Sequence, residues 1–188
     1  VYFNMEPDMY MLDCFMEGMM KTIIRYAPIA MREPDNYEAR ANLMWTSSWA
    51  INGFIDGGKH QAWSCHPMEH ELSAIYDITH GLGLAILTPR WMEYCLDETT
   101  VSKYVQFGTN VFGIDPKLEP MDIAHKAIDC LSHFLFDTLQ LKRTLPEVGI
   151  YETHFPTMAR KSVGGGILPG FKPLAQHDVE NIFRMCMK

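Results

Sequence analysis

The apolar residues of this chain recur at steps of three and four positions, which is the spacing of a helix with one buried face. Within residues 8–31, the residues with this spacing are Leu12, Phe15, Met16, Met19 and Ile23. A half-buried strand would instead alternate apolar and polar residues, and no run in the sequence does so. Repeated strand–helix units, which indicate a parallel sheet, are not found either. The sequence therefore predicts an all-α fold, a bundle of several helices.

Capping residues and prolines predict the ends of the first two helices. The first helix should cover residues 8–31 and should be broken near Pro28 or Pro34. The second should begin after a cap at Asp35 or Asn36 and stop at the Asn-Gly pair that follows its apolar residues.

The same signals predict the rest of the bundle. The glycines of DGGKHQ indicate a loop, after which Pro67 suits the first turn of a new helix. The apolar segment GLGLAILTPRWMEYCL should form a buried helix that is kinked or ended near Pro89. Three further helices and two short helical turns are expected: helices at 101–111, 120–139 and 173–187, and turns around Pro146 and Pro156.

Length and charge limit the class of protein. At 188 residues the chain suffices for one domain, and its net charge of −7 disfavours nucleic acid or an anionic membrane surface as a partner. The apolar stretches are interrupted well before the roughly 20 residues that span a bilayer, and no basic region precedes an apolar core near the N-terminus. Five cysteines without CxxC spacing are typical of reduced thiols. We therefore expect a soluble, cytoplasmic domain that acts on small molecules or proteins.

The stretch SCHPMEHELSAIYDITHG, residues 64–81, contains three of the eight histidines. Imidazole is a common ligand of zinc and iron, so this clustering predicts a candidate metal site. His66 and His70 form an HxxxH pair, whose rings would share one face of a continuous helix. Because the residue before a proline is disfavoured in a helix, His66 is expected at the helix edge, and His66 with His80 is an alternative pair. Neither pair supplies four ligands, and spacing leaves both open.

Each of these histidines also has a purely structural interpretation, as a helix cap or as a hydrogen-bonded core residue. Glu69 and Glu71 are expected to be solvated or paired, and Asp77 to stabilise a helix end. The histidines outside the stretch are interpreted as surface, loop or cap residues: His60, His125, His133, His154 and His177.

Four stretches of the sequence together resemble one known family. They are NYEARANLMWTSSWAINGFIDGG, WSCHPMEHELSAIYDITHGLGLAILTPRWMEY, KYVQFGTNVFGI and PLAQHDVENIF. They are similar to the helical C-terminal domain of the iron-containing (group III) alcohol dehydrogenases, and most of all to the branch of NADPH-dependent butanol dehydrogenases and aldehyde reductases. The resemblance covers essentially the whole chain and implies the dehydroquinate synthase-like helical domain of that family.

The resemblance also implies a metal site and an activity. In this family one aspartate and three histidines hold a divalent metal, Fe²⁺ or Zn²⁺, and the last two histidines, fourteen residues apart, match His66 and His80. The histidine between them matches His70, which in the family lies by the nicotinamide and the substrate and could orient them or relay a proton. The implied reaction interconverts a primary alcohol, such as butanol, and its aldehyde, with NADPH as the hydride donor.

Two parts of the family pattern do not occur in this sequence. In the family, the aspartate and the first histidine lie just before the segment that matches the start of this chain, and a nucleotide-binding domain with a Gly-rich loop precedes them. SVGGGILPG and HGLGLA do not replace that loop, because their glycines neither follow a strand nor open a helix as phosphate binding requires. We therefore expect residues 1–188 to be the metal-side half of a dehydrogenase, which alone binds metal poorly and is inactive.

Two other classes of function are compatible with a helical chain that carries histidines. A metal-dependent hydrolase would need an adjacent His-Asp pair near the cluster, and the only such pair, His177-Asp178, is about a hundred residues away. A noncatalytic interaction module would instead bind a partner through exposed methionine and aromatic side chains. An apolar face that a companion domain normally covers would also favour self-association, so a homodimer is expected.

Overall fold

The structure of the chain, a computed structural model, describes residues 1–4, 9–58 and 62–188. Within these ranges lie eight α-helices: α1 (Tyr10–Arg32), α2 (Tyr37–Ile51), α3 (Cys65–Tyr76), α4 (His80–Cys95), α5 (Val101–Phe112), α6 (Pro120–Ser132), α7 (Phe155–Ser162) and α8 (Gln176–Met185). Shorter helical turns are Phe54–Asp56, His133–Thr138, Pro146–Val148 and Glu152–His154. The described residues form no strand, and one isolated bridge pairs Leu168 with Leu174. The all-α prediction is confirmed.

The helices belong to two compact units, each made from two separate stretches of the chain. The first unit comprises Val1–Gln61 and Val101–Leu139 and contains α1, α2, α5 and α6. The second comprises Ala62–Thr100 and Gln140–Lys188 and contains α3, α4, α7 and α8. The three clustered histidines therefore all belong to the second unit.

Helix α1 passes through one proline and stops before the next. It continues past Pro28 to Arg32, so of the two predicted breaks the one near Pro34 is confirmed. An internal proline removes a backbone hydrogen bond and costs about 3 kcal/mol, but α1 packs against both α2 and α5, and packing along a helix can offset that cost. Asp8, the predicted first residue, lies outside the described residues.

Helix α2 begins at one of the two capping residues that the sequence offered. The side chain of Asn36 accepts a hydrogen bond from the backbone N–H of Ala39 at 3.0 Å. This bond satisfies one of the four N–H groups that a helix start leaves unpaired. The helix ends at Ile51, and Gly53 follows with a φ of 87°, which glycine adopts without strain.

Close approach of α5 to α6 depends on a glycine. A Cβ atom added to Gly108 would lie 3.0 Å from a methyl carbon of Ile123 and 3.1 Å from Cβ of Ala127. Tyr104 and Phe107, on the same helix as Gly108, are almost fully buried. The face of α5 that carries Tyr104, Phe107 and Gly108 is therefore buried.

A buried ion pair joins α1 to α5. Lys103 and Asp13 have only 6% and 5% of their surface exposed, and Nζ of Lys103 lies 2.7 Å from Oδ2 of Asp13. The same ammonium donates to Oε1 of Gln106 at 2.8 Å and stands 4.2 Å from the ring centre of Tyr2. Charges are rarely buried unless they are paired in this way.

Glu17 extends the ion pair into a network. Its Oε1 accepts hydrogen bonds from the hydroxyl of Tyr2 at 2.8 Å and from the side-chain amides of Gln106 and Asn110, both at 3.0 Å. Burial, together with the hydrogen bond to Glu17, raises the pKa of Tyr2, so its hydroxyl remains a donor. The first unit therefore has two buried carboxylates around one buried ammonium.

Helix α4 supplies much of the core of the second unit. Its buried residues are Gly83, Ala85, Ile86, Leu87, Pro89, Trp91, Met92 and Cys95. Helices α3 and α8 pack against it, and α7 packs against both of them, with the rings of Phe155 and Phe183 stacked 5.4 Å apart. The helix continues through Pro89 to Cys95, so the helix end that was one predicted alternative does not occur.

The remaining boundaries differ modestly from the predictions. The predicted helix at 120–139 is α6 followed by the π-helical turn, and the turn predicted at Pro146 is present. Helix α8 begins three residues later than predicted, because Leu174 pairs with Leu168 and the Asp178 carboxylate accepts from the N–H of Ala175 at 2.7 Å. The predicted DGGKHQ loop falls partly outside the described residues.

Among the residues described, no helix combines the length and apolarity needed to cross a bilayer.

Candidate metal centre

A three-residue turn between α3 and α4 builds the site. Helix α3 ends at Tyr76, and Asp77 adopts the left-handed conformation with a φ of 54° while its N–H donates to the carbonyl of Ser73 at 3.0 Å. Helix α4 then begins at His80. Asp77 thus ends α3, as predicted, and the turn brings the first residue of α4 back against α3.

The structure brings all three clustered histidines together. The ring centre of His80 lies 5.2 Å from that of His66 and 5.5 Å from that of His70, and the rings of His66 and His70 are 6.1 Å apart. The sequence presented two alternative pairs, whereas the fold gathers both into one cluster. His66 is the second residue of α3, and Pro67 occupies the first turn, where its missing N–H would have no helical partner.

The three rings differ in their surroundings. The ring of His66 is half-buried and meets the Trp63 ring edge-on, with 4.4 Å between centres. Burial lowers the pKa of His66, and the nearby His80 and His70 rings lower it further, so the neutral, metal-binding form of His66 is favoured. His70 and His80 are exposed, so a ligand can reach them from solvent.

Glu69 is the buried residue of the site. It has no exposed surface, its Oε2 is hydrogen-bonded to Nδ1 of His80, and its Oε1 accepts from the hydroxyl of Ser73 at 2.6 Å. Ligand atoms of Glu69, His70 and His80 all lie within 4.8 Å of one another. Among the described residues this is the group with the spacing of a metal site, and a carboxylate is part of it.

Sequence reasoning missed the burial of Glu69 and its contact with His80. It predicted a solvated or paired side chain, and only the pairing is correct. One sequence signal pointed to the hydrogen bond with Ser73: the two residues are four positions apart on one helix, so their side chains can meet. Its contact with His80, eleven residues later, depends on the turn between the two helices.

The other sequence candidates lie in ordinary structural roles. Glu71 is half-buried and its carboxylate lies 3.6 Å from Nζ of Lys161. His177 is exposed beside Asp178, whose carboxylate already caps α8 and accepts from the Tyr94 hydroxyl. The His-Asp pair that a hydrolase would need is therefore occupied. His60 lies outside the described residues.

The sequence matches a family over nearly its entire length. Residues 1–187 match the model of the Fe-containing alcohol dehydrogenase family, C-terminal. The chain belongs to this family. The resemblance inferred from its four stretches is thereby confirmed, and the fold is the one that iron-containing alcohol dehydrogenases have in this part.

Relatives and solved structures agree on this assignment. NADH-dependent butanol dehydrogenase B of Clostridium acetobutylicum is 49% identical over 186 residues, which are 98% of this chain and 48% of that protein. NADPH-dependent aldehyde reductase YqhD of Escherichia coli is 33% identical over 85% of this chain and 41% of its own length. The structure of NADH-dependent butanol dehydrogenase A of Thermotoga maritima matches with a TM-score of 0.90 at 30% identity, over 100% of this chain and 48% of that one. The chain spans about half the length of these dehydrogenases.

The donor set fits the metal that the family name implies. Imidazole nitrogens and carboxylate oxygens are the ligands that Fe²⁺ and Zn²⁺ use in open catalytic sites. The cluster offers two imidazoles from α3 and one from α4, with a buried carboxylate hydrogen-bonded to the one from α4. A metal bound there would be held by nitrogen from at least two different helices.

Proposed function

We propose that this chain is the metal-side part of a metal-dependent, NAD(P)H-linked alcohol dehydrogenase that interconverts primary alcohols, butanol-like in size, and their aldehydes. The convergence of His66, His70 and His80 within 6.1 Å of one another, next to a buried carboxylate, is the observation that carries this proposal. The names of the relatives support the substrate class, and we propose one helical domain for residues 1–188.

His66 and His80 would hold the metal, Fe²⁺ or Zn²⁺. Their ring centres are the nearest pair in the cluster, and they come from different helices, so one ion can lie between them. When bound, the metal supplies a Lewis acid to the oxygen of the aldehyde or alkoxide. We propose that the other ligands, an aspartate and a histidine, and the nucleotide-binding residues come from a segment that precedes Val1 in the intact enzyme.

His70 would act on the substrate side of the metal. Its ring is exposed and its centre lies 5.5 Å from that of His80, so a substrate bound next to the metal could reach it. An imidazole can hold a proton at either ring nitrogen, and can therefore orient the alcohol hydroxyl or return a proton to the aldehyde oxygen. We assign His70 both contact with the nicotinamide and this proton transfer.

A different donor set has its own support in the geometry. The group whose ligand atoms lie within 4.8 Å contains Glu69, His70 and His80 but not His66. In that arrangement His70 would be a ligand, and its replacement would remove the metal. The two donor sets therefore predict opposite results for the same variant.

The names of the relatives support a nicotinamide cofactor, and exposed side chains support an assembly. The branch of the family that the sequence resembles predicts NADPH as the cofactor. However, the relatives at 49% and 48% identity are named NADH-dependent butanol dehydrogenases. The aldehyde reductase at 33% identity is named NADPH-dependent. Helix α2 presents exposed Tyr37, Met44 and Trp45 side chains, which supports the predicted homodimer, or a noncatalytic contact with a partner.

The test is metal content and activity of three variants of the intact enzyme. His66→Ala and His80→Ala should lose bound metal, measured by elemental mass spectrometry, and lose butanal reduction with both NADH and NADPH. His70→Ala should keep the metal and lose rate, and exposed His177→Ala is the matched control that should change neither.

Three results would contradict the proposal. Metal retained at wild-type level in both His66→Ala and His80→Ala would exclude the site, and metal lost in His70→Ala would favour the rival donor set. Residues 1–188 by themselves should not oxidise butanol, so activity of that isolated chain would refute the proposed division of the enzyme.

A further inference from the structure

The burial of Glu69 requires an explanation. A carboxylate without solvent contact is costly unless hydrogen bonds or a counter-charge compensate for the lost water. Glu69 has no exposed surface, and its partners are the hydroxyl of Ser73 on one oxygen and Nδ1 of His80 on the other. One face of α3 thus directs a buried acid at the first residue of α4.

The space for this carboxylate is made by a glycine. A Cβ atom added to Gly83 would lie 2.6 Å from Oε1 and 2.7 Å from Cγ of Glu69, closer than side-chain atoms can approach. Gly83 is one helical turn beyond His80, so α4 supplies both the histidine and the gap beside it. Glu69 therefore has hydrogen bonds to Ser73 and His80 and a space beside Gly83 that a larger residue would fill.

The hydroxyl of Ser73 fixes which oxygen reaches the histidine. Ser73 lies 2.6 Å from Oε1 of Glu69 and 3.1 Å from the carbonyl of Ile78, in the turn that precedes His80. With Oε1 held in this way, Oε2 faces Nδ1 of His80. An ionised carboxylate can only accept, so an ionised Glu69 requires that the proton of this contact be on Nδ1 of His80.

We propose that Glu69 is a positioning residue that accepts the Nδ1 proton of His80 and so leaves Nε2, with its lone pair, as the metal-binding atom. This inference rests on the proposed function, because it assumes that His80 is a metal ligand. A histidine that binds metal through one nitrogen commonly donates its other N–H to a carboxylate, which fixes the tautomer and the ring orientation. In this arrangement Glu69 is a hydrogen-bond acceptor for His80 and not itself a metal ligand.

The first experiment measures the tautomer of His80 without any metal. Two-dimensional ¹⁵N NMR of the metal-free intact protein at pH 8 should show the proton of His80 on Nδ1. In Glu69→Ala the proton should move to Nε2, the form that free imidazole side chains favour. A wild-type signal for Nε2–H, or an unchanged tautomer in Glu69→Ala, would overturn the inference.

The second experiment measures Zn²⁺ affinity by competition with a chelating dye. Glu69→Ala and the volume-preserving Glu69→Gln should each bind Zn²⁺ about 10–100-fold more weakly than wild type. The matched control is Glu71→Gln, which removes the same charge from the same helix but lies next to Lys161. Its affinity should stay at the wild-type value, and circular dichroism melts identify any variant that has not folded.

The outcomes separate this inference from the proposed function. If wild-type protein binds no Zn²⁺, the proposed metal site fails, and with it the purpose of Glu69, whatever the tautomer. If wild type binds Zn²⁺ and Glu69→Gln binds it equally well, or no more weakly than Glu71→Gln, only the positioning role fails. A Zn²⁺-bound crystal structure with a Glu69 oxygen in the coordination shell would overturn the role in the same way.

Discussion

Replacing Lys103 by methionine tests whether the buried network of the first unit depends on its cation. Methionine preserves much of the apolar stem of lysine but removes the ammonium, which lies 2.7 Å from the carboxylate of Asp13. Because both side chains are about 95% buried, water cannot solvate the Asp13 carboxylate once the ammonium is removed. Asp13 and Glu17 would then share a buried region without this counter-ion.

The expected loss follows from burial. Removing one partner of a buried ion pair costs about 3–5 kcal/mol, since it leaves a desolvated charge uncompensated. A chain of 150–250 residues loses roughly 2–4 °C in melting temperature for each kcal/mol, so the midpoint should fall by about 6–20 °C. Lys103→Met with Asp13→Asn should be less unstable than the two single losses added together, with a coupling of about 0.5–3 kcal/mol.

Thermal and urea unfolding followed by circular dichroism provide the measurement. The control is Lys172→Met, which breaks an ion pair of the same length, 2.7 Å to Asp97, between side chains that are more than one-third exposed. Exposed pairs contribute little, because water solvates both ions when they separate. The two variants therefore differ in burial and not in distance.

The ranking of the variants decides the outcome. Lys103→Met must be clearly less stable than Lys172→Met if burial sets the value of the pair. Equal stabilities, or additive single and double variants, would show that the network does not hold α1 to α5 as we argue.

Two further predictions concern the cores of the units. Gly108→Ala should destabilise the chain by about 1–3 kcal/mol, because its methyl group meets α6, whereas Gly81→Ala, with nothing within 4 Å, should be neutral or slightly stabilising in the same melts. Burial raises the pKa of Cys95 and of Cys186 to about 12, so at pH 8 both should resist iodoacetamide until the chain unfolds. Exposed Cys14 is the positive control, and peptide mass spectrometry that finds the buried thiols labelled as fast as Cys14 would contradict the argument.

Local sequence signals predicted most of the helices. The side-chain cap at Asn36 and the helical turn at Pro146 depend on interactions within a few residues, and both are present. Proline signals were less decisive, since α1 and α4 continue through Pro28 and Pro89. A proline weakens a helix locally, but packing along the whole helix can exceed that cost.

The candidate site was only partly predictable. The spacing of His66, His70 and His80 predicted the stretch in which the three rings converge, because these residues lie close together in sequence. Spacing could not choose between the two pairs, since that depends on the turn at Asp77, whose left-handed backbone brings α4 back onto α3. The burial of Glu69 was not predicted, because it depends on the helices that pack around this residue.

The sequence by itself determined the all-α class, the histidine stretch and the family, because each is written in residue types at short separations. Only the tertiary structure decided that three imidazoles share one space, that Glu69 is buried against His80, and that Gly83 leaves room for it. Residues eleven and fourteen positions apart meet through the path of the backbone between them. How deeply these residues are buried likewise depends on every helix that packs around them.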